Sequence, residues 1–215
     1  MKQVKEGPRG VFVPTDRLET LSDGIFAIAM TILVVTIEIP VGPVSSYGLL
    51  MNTMGNVVPK FAVYFLSFLI LAVFWIIHHM FYVVKKADFT LIWINIFWLM
   101  FIALIPLSTS VIAQFGHYQF SQLIFDINLL FIGFFYYLMW SYAVKHHLLA
   151  DSVMPYSNYI QKTVLFLPGV IMIAIIISFI NPRWSMISLF LIPVLFVVGR
   201  KLWIPKKIRQ DNRSN

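Results

Sequence analysis

Hydrophobic and polar positions along this chain fall into blocks. Apolar runs over residues 16–38, 57–84, 89–113, 119–144, 163–180 and 184–204 alternate with short polar stretches, and each predicts a membrane-crossing helix. The first run is the least lipid-like. Residues 15–40 read TDRLETLSDGIFAIAMTILVVTIEIP, with Asp16, Arg17 and Glu19 at the start, Ser22 and Asp23 a turn further in, and Glu38 at the far end. Its uninterrupted apolar stretch, 25–37, covers 13 residues and contains Thr31 and Thr36, whereas a lipid-facing span takes roughly 20. Carboxylates at membrane depth are costly unless they face protein or water. The pattern predicts a helix shielded from lipid by the rest of the chain and lining a wet path.

Local signals set the ends of the runs. Thr15 or Asp16 can cap the first helix, with Glu19 three residues after Asp16, and Pro40, Gly42 and Pro43 stop it. Residues 41–55 read as a loop without Lys or Arg, 85–88 as a tight turn, 114–118 as a second short loop, and 148–162 as a polar connector. Pro106 and Pro193 fall late in the third run and inside the sixth, and Lys145, His146 and His147 end the fourth, where basic groups favour the helix dipole.

Composition turns this pattern into a class. The chain is 60% hydrophobic and only 12% charged, with a mean hydropathy of +0.84, against about 25% charged residues in an average soluble domain. It reads as an all-α integral membrane protein in three parts: an N-terminal tail 1–14, a six-helix transmembrane domain 15–205, and a basic tail 206–215. The net charge of +7 does not point to nucleic acid, because the basic residues sit in the loops and tails between apolar runs. With six spans both termini share a side, and a cytoplasmic placement puts 14 of the 16 Lys and Arg inside, leaving Lys60 and Arg183 outside. The expected location is the cell membrane, with both termini cytoplasmic. The N-terminal stretch has no continuous apolar core, so no cleavable signal peptide is expected. The absence of cysteine excludes disulfides and thiolate metal sites, and no pair of histidines stands at i and i+4. No nucleophile elbow, phosphate loop, HExxH or dinucleotide fingerprint is present, so an enzyme is not expected, and no cofactor is implied.

The stretch from Arg17 to Thr31, RLETLSDGIFAIAMT, resembles the first helix of the transmembrane protein 175 family of potassium channels, whose signature there is Arg-x-x-x-Phe-Ser-Asp. Arg17, Ser22 and Asp23 stand in register, and Leu21 replaces the Phe, apolar for apolar. Further matches are Trp75, His78 and His79 in W-x-x-H-H, Asn95 in the third run, and I-P-L-S-T around Pro106. A single six-helix unit resembles the prokaryotic members. The resemblance implies a homotetramer in the lipid bilayer, with helix one lining a central pore for K+, and no carbonyl filter of the TVGYG kind, a string absent here.

Given that arrangement, helical spacing from Gly24 puts Ile28, Thr31 and Val35 on one face, with Glu38 beyond. Repeated around a pore, Ile28 and Val35 form apolar constrictions that can close by dewetting, and Thr31 supplies hydroxyls in place of hydration water. The resemblance places constriction and selectivity at Ile28 and Thr31. The same spacing also fits ordinary packing, and Glu38, a cation-attracting residue at an outer mouth, also fits an ordinary interfacial position. Arg17, Ser22, Asp23, Trp75, His78 and Asn95 are expected to form a structural polar network locking helix one to helices two and three. Adjacent histidines point about 100° apart, so only one of His78 and His79 can face Asp23; the resemblance favours His78. Asp126, in an apolar setting, could bond Gln122 or Asn128, reach outward, or line a side cavity. Passive potassium conduction is the first reading and a proton- or cation-coupled secondary transporter the alternative; against the latter, Pro106, Pro168 and Pro193 do not repeat between halves. A purely structural membrane protein would leave the polar first helix unexplained.

Overall fold

The computed structural model of the chain describes residues 15–38, 47–79, 84–151 and 153–203. The tails expected at 1–14 and 206–215, the Pro40–Gly42–Pro43 stop and residues 80–83 of the second run lie outside the described residues. Helix α1 is Thr15–Leu33, extended by a 3-10 turn over Val34–Thr36, and α2 is Tyr47–His79. The third run forms two helices, α3 (Phe89–Ala103) and α4 (Ile105–Phe115). Then come α5 (Gln119–Lys145) and α6 (Ser157–Ser178), and the sixth run again forms two, α7 (Pro182–Leu189) and α8 (Leu191–Trp203). Thr15–Thr36, Tyr47–His79, Phe89–Phe115 and Gln119–Lys145 are long and apolar enough to cross a membrane; Val164–Ser178 and Pro182–Val198 are shorter apolar helices. The described residues contain no strand, only an isolated bridge between Val84 and Leu149.

The structure corrects the expected elements at three places. The third and sixth runs are not single helices, because proline removes a backbone donor and crowds the carbonyl one turn back. Pro106 does this to Ile102, and α3 ends with the Leu104 amide shared between the Met100 and Phe101 carbonyls at 3.2 Å. Pro193 does it to Leu189, the last residue of α7. The second correction is the loop expected at 41–55: α2 already begins at Tyr47. Leu49, Leu50, Met51 and Met54 are good helix formers, and Thr53 Oγ1 donates to the Leu49 carbonyl at 2.9 Å. The third is α6, which starts at Ser157 inside the expected connector, directly after a short 3-10 turn, Met154–Tyr156, opened by Pro155.

Packing is centred on α5, which contacts α3, α4, α6 and α7, while α1 lies on α2, α3 and α4. Trp98, Trp140, Phe26, Phe74 and Phe125 are among the side chains fully removed from solvent. Hydroxyls and amides stitch the helices together inside this apolar mass. Thr109 Oγ1 donates to Ser67 Oγ at 2.8 Å, Asn128 Nδ2 to Ser108 Oγ at 3.2 Å, and the Tyr136 hydroxyl to the Ile77 carbonyl at 3.0 Å. Ser108 and Thr109 belong to the I-P-L-S-T segment, so the proline break delivers two hydroxyls to neighbouring helices.

The linkers are laced as well. The Lys85 amide donates to the Leu148 carbonyl at 2.9 Å beside the Val84–Leu149 bridge. Asp88 caps α3 by accepting from the Leu91 amide at 2.9 Å, and its other carboxylate oxygen accepts from the Tyr142 hydroxyl at 2.7 Å. The exposed Lys85–Asp151 pair, at 2.6 Å, holds the Asp151 carboxyl below its ordinary range through a hydrogen bond and charge attraction. His146 lies against the Tyr142 ring, with centroids 4.2 Å apart, and His147 takes the left-handed backbone conformation (φ 53°). That turn closes α5, with the Leu148 amide donating to the Ala143 carbonyl at 3.0 Å.

α5 and α6 approach closely at Gly133. A Cβ there would sit 3.0 Å from the Pro168 ring, which is fixed in α6 and cannot swing aside. Gly133→Leu is expected to part the two helices and destabilise the fold by about 1–3 kcal/mol, the usual range for overpacking. A lowered thermal midpoint of the detergent-purified protein checks this.

Candidate functional site

Helix α1 has two unlike faces. Ser22, Phe26, Ala29 and Leu33 are buried, and Thr36 continues the stripe through the 3-10 turn. Their spacing of four, three, four and three residues is that of one helix face turned inward. On the other side Asp23, Gly24, Ile28, Thr31, Val35 and Glu38 are all exposed, Ile28 by 59% and Val35 by 74%. Beside Gly24 the space is open, with no atom within 4 Å of a Cβ built there. The helix therefore presents a row of an isoleucine, a threonine and a valine that the chain's own core leaves uncovered.

Along this row Thr31 is the polar position. Its hydroxyl lies 3.0 Å from the Ala27 carbonyl and 2.8 Å from that of Ile28, so its single hydrogen is donated to its own helix. Next to the row, Ile28, Ile32 and Val35 form one wall of a groove of about 460 Å3, and Ala103, Pro106 and Leu107 form the other. The proline break thus opens beside the uncovered face of α1. At the Glu38 end, Lys60 Nζ donates to the Glu38 backbone carbonyl at 3.1 Å. A helix C-terminus has unpaired carbonyls and partial negative charge, and Lys60 supplies a donor there. Sequence reasoning placed Lys60 only as a basic residue outside; a lone Lys near the start of a long apolar run carries no signal of its partner.

The residues expected to lock α1 to α2 and α3 resolve into two separate arms. In the first, Trp75 Nε1 donates to Asp23 Oδ1 at 2.9 Å, and the His79 ring lies against Trp75 with centroids 5.5 Å apart. In the second, His78 Nε2 is 3.4 Å from Ser22 Oγ and 3.3 Å from Asn95 Oδ1. Ser22 Oγ already donates its only hydrogen to the Leu18 carbonyl at 2.8 Å. Toward His78 it can only accept, as can Asn95 Oδ1, so Nε2 carries the hydrogen and shares it between them. His78 faces Ser22 and not Asp23, which corrects the expectation. Its ring stacks on Trp98 (centroids 4.8 Å, planes 12° apart), and Trp98 in turn meets Phe26 at 5.6 Å. Arg17 is exposed and joins neither arm by any hydrogen bond or ion pair among the described residues.

Asp126, left unassigned by sequence, is fully buried and accepts from Gln122 Nε2 at 2.8 Å, with Ser185 Oγ 3.2 Å from its other oxygen. Among the described residues no group of three His, Asp or Glu side chains could hold a metal ion.

Comparison with known proteins agrees with this geometry. The profile of the family described as the endosomal/lysosomal potassium channel TMEM175 matches residues 17–106, which run from α1 to the Pro106 break and contain both arms. The crystal structure of a lysosomal potassium-selective channel TMEM175 homologue from Chamaesiphon minutus superposes with a TM-score of 0.77 at 26% identity, over 86% of this chain and 96% of that one. Over residues 17–106 the chain is similar to the TMEM175 family. The potassium channel of Chamaesiphon minutus is 27% identical over 190 residues, covering 86% of this chain and 94% of that protein. A potassium channel of Streptomyces collinus is 37% identical over 102 residues, 46% of this chain and 48% of the relative, so this match spans about half of each. TMEM175 proteins are channels, not enzymes, and the uncovered row on α1 lies within the matched stretch.

Removing either partner of the exposed arm should loosen α1 without disturbing the buried arm. Asp23→Ala and Trp75→Phe are each expected to lower stability by roughly 1 kcal/mol, the net value of such a hydrogen bond. The double variant should lose no more than the larger single effect, and a thermal-denaturation cycle over the four proteins measures that coupling.

Proposed function

We propose that this chain is the subunit of a homotetrameric, potassium-selective channel that conducts passively through a central pore lined by α1. The observation that carries the reading is the row Gly24, Ile28, Thr31, Val35 and Glu38, exposed along a helix whose opposite face is buried. A monomer in lipid has no reason to expose a threonine and a carboxylate beside these apolar residues. Around a four-fold axis they become rings facing water. Ile28 and Val35 then form apolar constrictions that open and close by wetting, Thr31 supplies oxygen between them, and Glu38 draws cations to the mouth.

The two arms have a supporting part in this reading. Trp75–Asp23 and Ser22–His78–Asn95 hold α1 at a set rotation, so that the same residues face the axis in every subunit. In this reading both termini are cytoplasmic, the Glu38 end is outside and the channel resides in the cell membrane, which the basic loops and tails support. The relatives of Chamaesiphon minutus and Streptomyces collinus, each named a potassium channel, support the choice of ion.

Two measurements test the reading. Ile28→Asn hydrates the narrowest apolar ring and is expected to raise potassium current severalfold while lowering discrimination against sodium; an unchanged current places the constriction elsewhere. Purified protein in potassium-loaded liposomes is expected to release potassium down its gradient with no proton or sodium counter-gradient and little sodium flux. Release that requires and consumes a proton gradient would overturn passive conduction in favour of coupled transport.

A further inference from the structure

The buried arm leaves one polar group unanswered. Asn95 of α3 is 3% exposed, and its Oδ1 lies 3.3 Å from His78 Nε2. The other end of the same amide, Nδ2, is removed from solvent and has no hydrogen-bond partner among the described residues. A buried amide donor without an acceptor is costly, and native proteins almost always supply one. Turning the amide over changes nothing: one end still faces His78 and the other still meets no protein group.

Asn95 and His78 line a cavity of about 20 Å3. Thr15 and Glu19 of α1 line it as well, and Ala87 and Leu91 form apolar walls. Leu91 stands one turn before Asn95 on α3. Helical side chains lean toward the start of their own helix, so the Asn95 amide is carried toward the Leu91 side of this space. On α1, Thr15 and Glu19 precede Ser22 by spacings of four and three, which continues the inward stripe of that helix to its beginning. Glu19 is thus a carboxylate on the packed face of α1, and among the described residues no hydrogen bond or ion pair reaches it. An unpaired donor and an unpaired acceptor on two helices therefore border one cavity.

The size and polarity of the cavity select its ligand. A space of roughly 10–15 Å3 takes one water molecule, which settles where about two to four polar groups can bond it. The room here suffices for one water and is too small for a hydrated cation, and the Nδ2 hydrogens would repel a bare one. We propose that this cavity is a water-binding site, in which one water accepts from Asn95 Nδ2 and donates to Glu19 and Thr15. The water ties the first turn of α1 to α3. The two direct arms grip α1 at Ser22 and Asp23; this third, indirect one holds the helix where it begins, and it gives the inward-facing Glu19 a partner.

Radiolytic labelling of the full-length protein in detergent and oxygen-18 water tests the site. A brief ionising pulse converts a bound water into a hydroxyl radical that oxidises the side chain against it, so a buried residue is labelled only where a water rests on it. Leu91 and Leu99 are each 1% exposed and both belong to α3, but of the two only Leu91 borders the cavity. Leu91 is expected to take up oxygen-18 severalfold faster than Leu99. Equal labelling of the two, or none at Leu91, would overturn the site. Asn95→Leu removes the donor, and Ala87→Val fills the space with methyl groups; each should bring Leu91 down to the level of Leu99, and undiminished labelling in either folded variant refutes the assignment. Glu19→Leu removes an acceptor and should also weaken the Leu91 label, whereas parental labelling there refutes the bridge to α1. Should these variants fail to fold, the comparison of Leu91 with Leu99 in the unmutated protein still decides.

Discussion

The hydrogen on His78 Nε2 points at two oxygens, Ser22 Oγ on one helix and Asn95 Oδ1 on another, from a ring clamped flat against Trp98. Much of the arrangement depends on this small cluster. α1 is too polar to be held by lipid and too short in apolar residues to be held by burial alone, so its orientation has to come from directional contacts. Ser22 can serve because its own hydrogen is spent on Leu18, which leaves it a pure acceptor. In a medium without competing water, such a set of directional contacts fixes one rotation of the helix in a way that greasy contacts cannot.

With α1 fixed, the remaining helices divide the work. α5 is the post against which α3, α4, α6 and α7 lean, and its close approach to α6 at Gly133 and Pro168 depends on a missing side chain. Prolines do the shaping. Pro106 separates α3 from α4 and turns Ser108 and Thr109 toward α5 and α2, and the same break opens the groove beside α1. A helix that ran straight through residue 106 would close that groove and aim those hydroxyls elsewhere.

Much of this was legible in the sequence. The apolar runs located the helices, and the crowding of Asp16, Arg17, Ser22 and Asp23 singled out α1, because cost at membrane depth is a property of residue type alone. The row from Gly24 to Glu38 followed from helical spacing, and it does lie on one exposed face. What spacing cannot supply is which neighbour answers which polar group. His78 and Trp75 stand three residues apart on α2, so either could have been assigned to Asp23; the packing of α2 against α1 gave Asp23 to Trp75 and Ser22 to His78. The starts of α2 and α6 were misplaced for a similar reason: the weak loop signals of 41–55 and 148–162 did not stop helices that the rest of the bundle supports. Asp126 and Ser185 are 59 residues apart, and no local pattern relates them.

The direction of the Thr31 hydroxyl carries one more consequence. With its hydrogen turned back to the carbonyls of Ala27 and Ile28, the oxygen offers only lone pairs outward. Such an oxygen is the negative end of a dipole locked to the helix, and it cannot rotate to greet a chloride as a free hydroxyl or a water molecule does. In the pore proposed above, discrimination between positive and negative ions at this level would need neither a formal charge nor a particular diameter, only the fact that the hydrogen is already occupied. A serine or threonine on a helix thus has a polarity of its own, set by the backbone that bears it.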